Sequence, residues 1–113
     1  MNRLILAASA GALLATACAS YPKPTDRLIS SQASLRGAEE AGAPAHPQAS
    51  LHMKLAQEEV NKAKALIDDG ENERADYMLM RAKADADIAL ALARTNKSLA
   101  VQQQVQEKAA NSP

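Results

Sequence analysis

Apolar residues recur along the chain at helical spacing. Met53, Ala56, Val60, Ala63 and Ile67 follow one another at steps of 3, 4, 3 and 4, a heptad-type stripe on one helix face. Leu51, Leu55 and Leu66 widen one side of it, while Gln57, Glu58, Asn61, Lys62 and Lys64 lie largely outside it. The pattern predicts a helix from Pro47 or Gln48 to Asp68, with the proline tolerated in the first turn. A longer, thinner stripe follows. Ala75, Leu79, Ala82, Ala86, Ala89, Ala93 and Ala100 come at steps of 4, 3, 4, 3, 4 and 7, and Asn96 fills the missing place. Met78, Leu90, Leu92 and Leu99 flank it, and the spacing predicts a helix over 72–107. From Arg94 onward the pattern thins, so a frayed helix or a disordered end is expected, with a polar tail at 108–113.

The stretch "DDGENERA" (68–75) separates the two stripes. Gly70 suits the left-handed residue after a helix end, and Glu71 and Glu73 complement the dipole of the helix that starts there. So short a turn predicts an antiparallel hairpin. Upstream, Leu28, Leu35 and Ala38, with Ser31 on the same face, predict a shorter helix over 26–41 that Thr25 or Asp26 can cap and Gly37 weakens. "AGAPAHPQ" (41–48) breaks it. "ASYPKP" (19–24) reads as an extended spacer, because its two prolines disfavour helix and strand. No convincing strand pattern appears. The expected fold class is all-α: an antiparallel helical hairpin with a long C-terminal helix, plus a shorter N-terminal helix, the helical domain spanning 26–107.

The first residues differ from all this. A basic start at Arg3 precedes "LILAASAGALLATA" (4–17), about 14 uncharged residues. That is shorter than the roughly 20 a membrane-spanning helix needs, and it fits a secretory signal peptide over 1–17. Ala15, Thr16 and Ala17 then lead into Cys18, the only cysteine. Small residues directly before a cysteine resemble the lipobox of bacterial lipoproteins, in which the thiol takes a diacylglycerol through a thioether and the new amino terminus is usually acylated too. Ala15 stands where leucine is usual, and ordinary cleavage after Ala15-Thr16-Ala17 is the rival. Several acyl chains give stable attachment where one does not. With Ala19 rather than aspartate after Cys18, the resemblance implies a bacterial outer membrane facing the periplasm, with 18–25 as a lipidated tether.

Composition narrows the chemistry. Loss of 1–17 from 113 residues leaves 96, one small domain, and removes Arg3, so twelve basic residues face thirteen acidic ones. There is no Phe or Trp, no basic block, and only Tyr21 and Tyr77 are aromatic, which points away from nucleic acid. His46 and His52 lack a third ligand at metal spacing. Asp85 and Asp87, two apart on a helix, point in different directions. Asp68 and Asp69 belong to a turn rather than a calcium loop. No nucleophile elbow, catalytic triad or phosphate loop appears. No catalytic, cofactor or metal site is expected, and the protein is read as not an enzyme. Glu58–Lys62, Arg81–Asp85 and Lys83–Asp87 are expected i,i+4 pairs.

"AEEAGAPAHPQ" and "LAQEEVNKAKALIDDGENERADYMLMRAKADADIALALAR" together resemble the bacterial lipoprotein family known as domain of unknown function 4398. Its look is carried by Ala41-Gly42-Ala43-Pro44, Gly70-Glu71, Ala75, Ala82 and the Asp85-Ala86 to Ala91 run, within about 28–94. The resemblance implies the cell envelope and brings no activity with it. The resulting expectation is a lipid-anchored, non-enzymatic structural or interaction module. Its stripe of Ala75, Leu79, Ala82, Ala86, Ala89, Ala93 and Asn96 would be left half covered and would meet a second copy or an envelope protein. A polar Asn96 in such a seam either fixes register or marks where the stripe reaches solvent. The alternatives are a helical-repeat-like adaptor and a small lipid-binding carrier in the periplasm.

Overall fold

In the computed structural model, residues 20–112 are described. The expected signal segment and Cys18 lie outside them. Three helices follow in order: α1 (Thr25–Glu40), α2 (Pro47–Asp68) and α3 (Asn72–Ala110), with a 3-10 turn (Ala43–Ala45) between α1 and α2. There is no strand among the described residues, and the fold is all-α.

The helix ends follow from backbone chemistry more than from side-chain caps. Neither Thr25 nor Asp26 caps α1; the N-cap position is Pro24, whose carbonyl accepts from the Leu28 N–H at 3.0 Å. Gly42 ends that helix at φ 91°, its N–H donating to the Glu39 carbonyl. Pro47 occupies the first turn of α2 after an extended His46. At the other end of α2, Gly70 adopts φ 79°, its N–H bonds the Ile67 carbonyl at 3.0 Å, and the Glu71 N–H bonds that of Leu66 at 2.8 Å. This is the double bond pattern of a Schellman turn, and it satisfies carbonyls that a helix end leaves open. The chain then reverses at once into α3.

Both α1 and α2 pack on α3, and this corrects one expectation. Ala75, Leu79, Ala82, Ala86, Ala89 and Ala93 are fully buried, so they form the chain's own seam and not a half-covered interaction stripe. The physical reason is α1, which lays Ser31, Leu35 and Ala38 along one side of the seam while α2 lays Ala56, Val60, Ala63 and Ile67 along the other. Toward the hairpin turn the core contains Leu35, Val60, Leu66, Ile67 and Leu79; toward the other end it is built of Ala38, Ala43, Ala49, Ala89 and Ala93. Methyl-sized side chains bring the backbones close. Buried Ser31 marks that approach, its Oγ 3.0 Å from the Leu79 carbonyl and 2.8 Å from that of Arg27. Leu51 and Leu55, expected to widen the buried face of α2, are exposed instead.

The C-terminal part of α3 outruns its neighbours. Its 39 residues extend about 58 Å at 1.5 Å per residue. Beyond Ala93, among the described residues, only Asn96 is even half-buried. The helix nevertheless continues to Ala110, past the expected end at 107, so 108–110 are helical rather than tail. No Gly or Pro interrupts 72–112, the segment is rich in good helix formers, and growth from a formed helix needs no new nucleus.

Candidate functional site

α3 carries a second apolar stripe, opposite the first. Tyr77, Met80, Ala84, Ile88, Ala91, Thr95 and Leu99 follow at steps of 3, 4, 4, 3, 4 and 4. At 100° per residue they share one face, roughly half a turn from the alanine seam. Every member is exposed: Tyr77 by 61%, Met80 by 47%, Ile88 by 43% and Leu99 by 51%. Its average step is close to the 3.67 of an eleven-residue repeat, with Tyr77, Ile88 and Leu99 each eleven apart. α1 and α2 cover one apolar side of this helix, and the other faces outward. The stripe spans about 33 Å of helix. The sequence signal was present, but the denser alanine stripe masked it.

Beside it, where α2 meets α3, a polar row was also missed. His52 Nδ1 lies 2.7 Å from Asp85 Oδ1, and Arg81 Nη2 forms an ion pair with Glu59 Oε1 at 2.9 Å. Arg81 and Asp85, expected to pair with each other, therefore pair across to α2. Lys83 does hold Asp87, at 2.6 Å, whereas Glu58–Lys62 is not among the ion pairs that form. Partial burial pushes the Asp87 carboxyl up, but hydrogen bonds from Lys83 and Ser34 outweigh it and hold the group below its usual range. Glu59 is the unusual member. It is buried, its Oε2 has no partner, and burial raises its pKa; Arg81 opposes the shift and Asp85 reinforces it.

A raised pKa means that folded Glu59 keeps its proton to higher pH than the unfolded chain does. The group therefore subtracts stability near neutral pH, and the penalty fades as pH falls through the raised value toward the ordinary one. Glu59→Gln removes that charge and can donate to Asp85. The Arg81 pair it gives up is worth little, because the Arg81 side chain is 71% exposed. Glu59→Gln should melt a few degrees above the parent at pH 7, the scale of about 1 kcal/mol for a domain this size. The gap should narrow in melts at pH 5. An equal gap at both pH values would show that the buried charge is not its source.

The spacer before α1 is tied down from Tyr21 onward. Tyr21 Oη donates to Asp76 Oδ2 at 2.9 Å, Arg27 Nε donates to Asp76 Oδ1 at 2.5 Å, and Asn72 Nδ2 donates to the Tyr21 carbonyl at 3.0 Å. The Asp76 bond raises the Tyr21 pKa, its phenol being fixed as donor to a carboxylate. The first turns of α3 thus grip the residue three positions after Cys18.

The residues singled out from sequence separate accordingly. The six apolar members of the alanine stripe come together, but in the core. Asn96 sits half-buried one turn beyond Ala93, where the seam runs out. His46 ends the 3-10 turn, apart from the His52–Asp85 pair. Among the described residues no group of His, Cys, Asp and Glu has metal-binding geometry.

A family model described as Domain of unknown function (DUF4398) matches residues 26–108, from the start of α1 through the exposed overhang of α3. No curated protein and no solved structure matches the chain.

Proposed function

The chain belongs to the Domain of unknown function (DUF4398) family, and from that premise we propose that it is a non-enzymatic helical module of the bacterial cell envelope. In this reading a lipid on Cys18 holds it to the periplasmic face of the outer membrane, and it works by contact through the outer face of α3. The observation that carries the reading is the exposed stripe of Tyr77, Met80, Ala84, Ile88, Ala91 and Leu99, on a helix whose opposite face is already filled. The anchor is supported by the small residues before Cys18 and by the grip on Tyr21. Three extended residues reach at most about 10 Å, so an anchored chain stands with its hairpin turn near the membrane and α3 running away from it.

Two measurements test this. Cys18→Ala should release the full chain from the membrane fraction and abolish the lipid mass increment; a variant still membrane-bound and still carrying that increment would end the anchor. Photo-crosslinking residues placed at Met80 or Ile88 in cells should give discrete products, and one at exposed Ala33 of α1 should give none. Equal yields from all three would end the surface.

One observation favours a second reading. An open groove of about 480 Å³ between α1 and α2 has Leu35 and Met53 against Arg36, Lys54 and Lys64. This suits a lipid-binding carrier or an adaptor, and lipid that co-purifies with the chain and is displaced by Met53→Glu would support it.

A further inference from the structure

We propose that the outer face of α3 pairs, parallel and in register, with the same face of a second copy of this chain. The inference rests on the reading of that face as a contact surface and of Cys18 as an anchor. Three features select a second copy.

The first is orientation. Asn72 and Asp76 hold Tyr21 at the N-terminal end of α3. Two copies anchored in one membrane therefore raise α3 in the same direction and present the stripe at the same height. An antiparallel pair would place one anchor far from the membrane.

The second is charge. At 100° per residue Glu73 borders one side of the stripe and Arg74 the other; both are exposed, and Arg74, which also pairs with Glu71 of its own chain, has further guanidinium donors to offer. A two-fold axis parallel to the helices sets the Glu73 side of each against the Arg74 side of its mate at the same level. That gives two opposite-charge contacts, and no like pair is forced together there. Between Tyr77 and Leu99 the seven stripe residues carry no charge, and the one cation at their edge, Arg81, is already paired with Glu59 of its own chain.

The third is shape. Ile88 is flanked along the stripe by Ala84 and Ala91, and these small residues leave room for Ile88 of each copy to pack beside that of the other. Contact over about 33 Å buries on the order of 1,000 Å², the lower limit for a specific interface. The pairing is then of moderate strength in solution, and confinement to a membrane raises the effective concentration that drives it.

The experiment uses the full chain in cells, with native Cys18 and single cysteines at Ala84, Ala91 or, as control, Ala33, followed by mild oxidation and non-reducing gels. The expected result is a species of twice the chain's mass from Ala84→Cys and from Ala91→Cys, absent from the parent and from Ala33→Cys, and lost when Ile88→Glu is added. Ile88 is exposed, so the melting curve of that variant should match the parent and exclude unfolding as the cause. Linkage only when Ala84→Cys and Ala91→Cys chains are mixed would mean antiparallel pairing and overturn the proposal. Linkage in the parent would show a free Cys18 thiol and remove the anchor that sets the register. Should the cysteines give no dimer while a photo-crosslinker at Ile88 traps a different protein, self-pairing falls and the contact surface stands. Should both give nothing, both readings fall.

Discussion

Replacing Leu79 with alanine should lower the unfolding free energy by about 2–5 kcal/mol, the range for deleting a large aliphatic side chain from a rigid core. Leu79 is among the largest fully buried side chains, at 0% exposure. Few large residues share the work. Around Leu79 the core combines Leu35, Val60, Leu66 and Ile67 with Ala75, Ala82 and Ala86 of its own helix and Ala56 and Ala63 from α2. The alanines of α2 and α3 have no side-chain length with which to fill a void, so on their side the site can collapse only by moving backbone. The Ser31 hydroxyl, within bonding distance of the Leu79 carbonyl, opposes that movement. Small domains have only about 5–15 kcal/mol to lose, and the midpoint should drop by roughly 10 °C or more. Urea and thermal melts of the full chain measure it, with Ile88→Ala as the comparison. Ile88 is similar in size but lies on the outer face, so its truncation should stay within about 0.5 kcal/mol. Equal losses at both positions would mean that the inner and outer faces of α3 are wrongly assigned.

Helix existence and order were legible because their signals are local. Steps of 3 and 4 mark α2 and α3, and Gly42 and Gly70 stand at the two positive-φ turns that stop α1 and α2. What covers each face was not legible, because that depends on residues distant in the chain. The alanine stripe looked thinly covered while Ser31, Leu35 and Ala38 were counted only as a face of α1. Once they are laid on α3, the same stripe is the inside. Arg81 and Asp85 stand at the right spacing for a helical pair worth a few tenths of a kcal/mol, yet Glu59 and His52 lie across the groove within bonding distance and take them. Tyr21 looked like part of a free spacer because nothing within ten residues of it announces Asn72 or Asp76. The outer stripe of α3 was legible in principle. Its eleven-residue period drifts around the helix in the sense opposite to the seven-residue pattern of alanines beside it, and that denser pattern was easier to see.

That two-sided character of α3 yields the sharpest contrast, since the same substitution two residues apart should have opposite consequences. Ala86 is fully buried in the seam between α1 and α2. A leucine there adds three carbons where backbones approach to methyl distance, and α3 must tilt from one neighbour or force its own side chain off rotamer. Such overpacking costs about 1–3 kcal/mol and sometimes more, and a seam filled from both sides by α1 and α2 leaves little slack to reduce it. Ala84 faces outward. A leucine there meets solvent, leaves the melting temperature nearly unchanged, and enlarges the apolar outer stripe. Leucine and alanine are both strong helix formers, so propensity does not blur the comparison. Ala86→Leu should therefore lower the thermal midpoint by several degrees or more. Ala84→Leu should keep it and shift light scattering of the full chain in detergent toward the mass of two copies at lower protein concentration. If Ala86→Leu is tolerated and Ala84→Leu destabilises, the helix is turned the other way about, and the exposed stripe is the core.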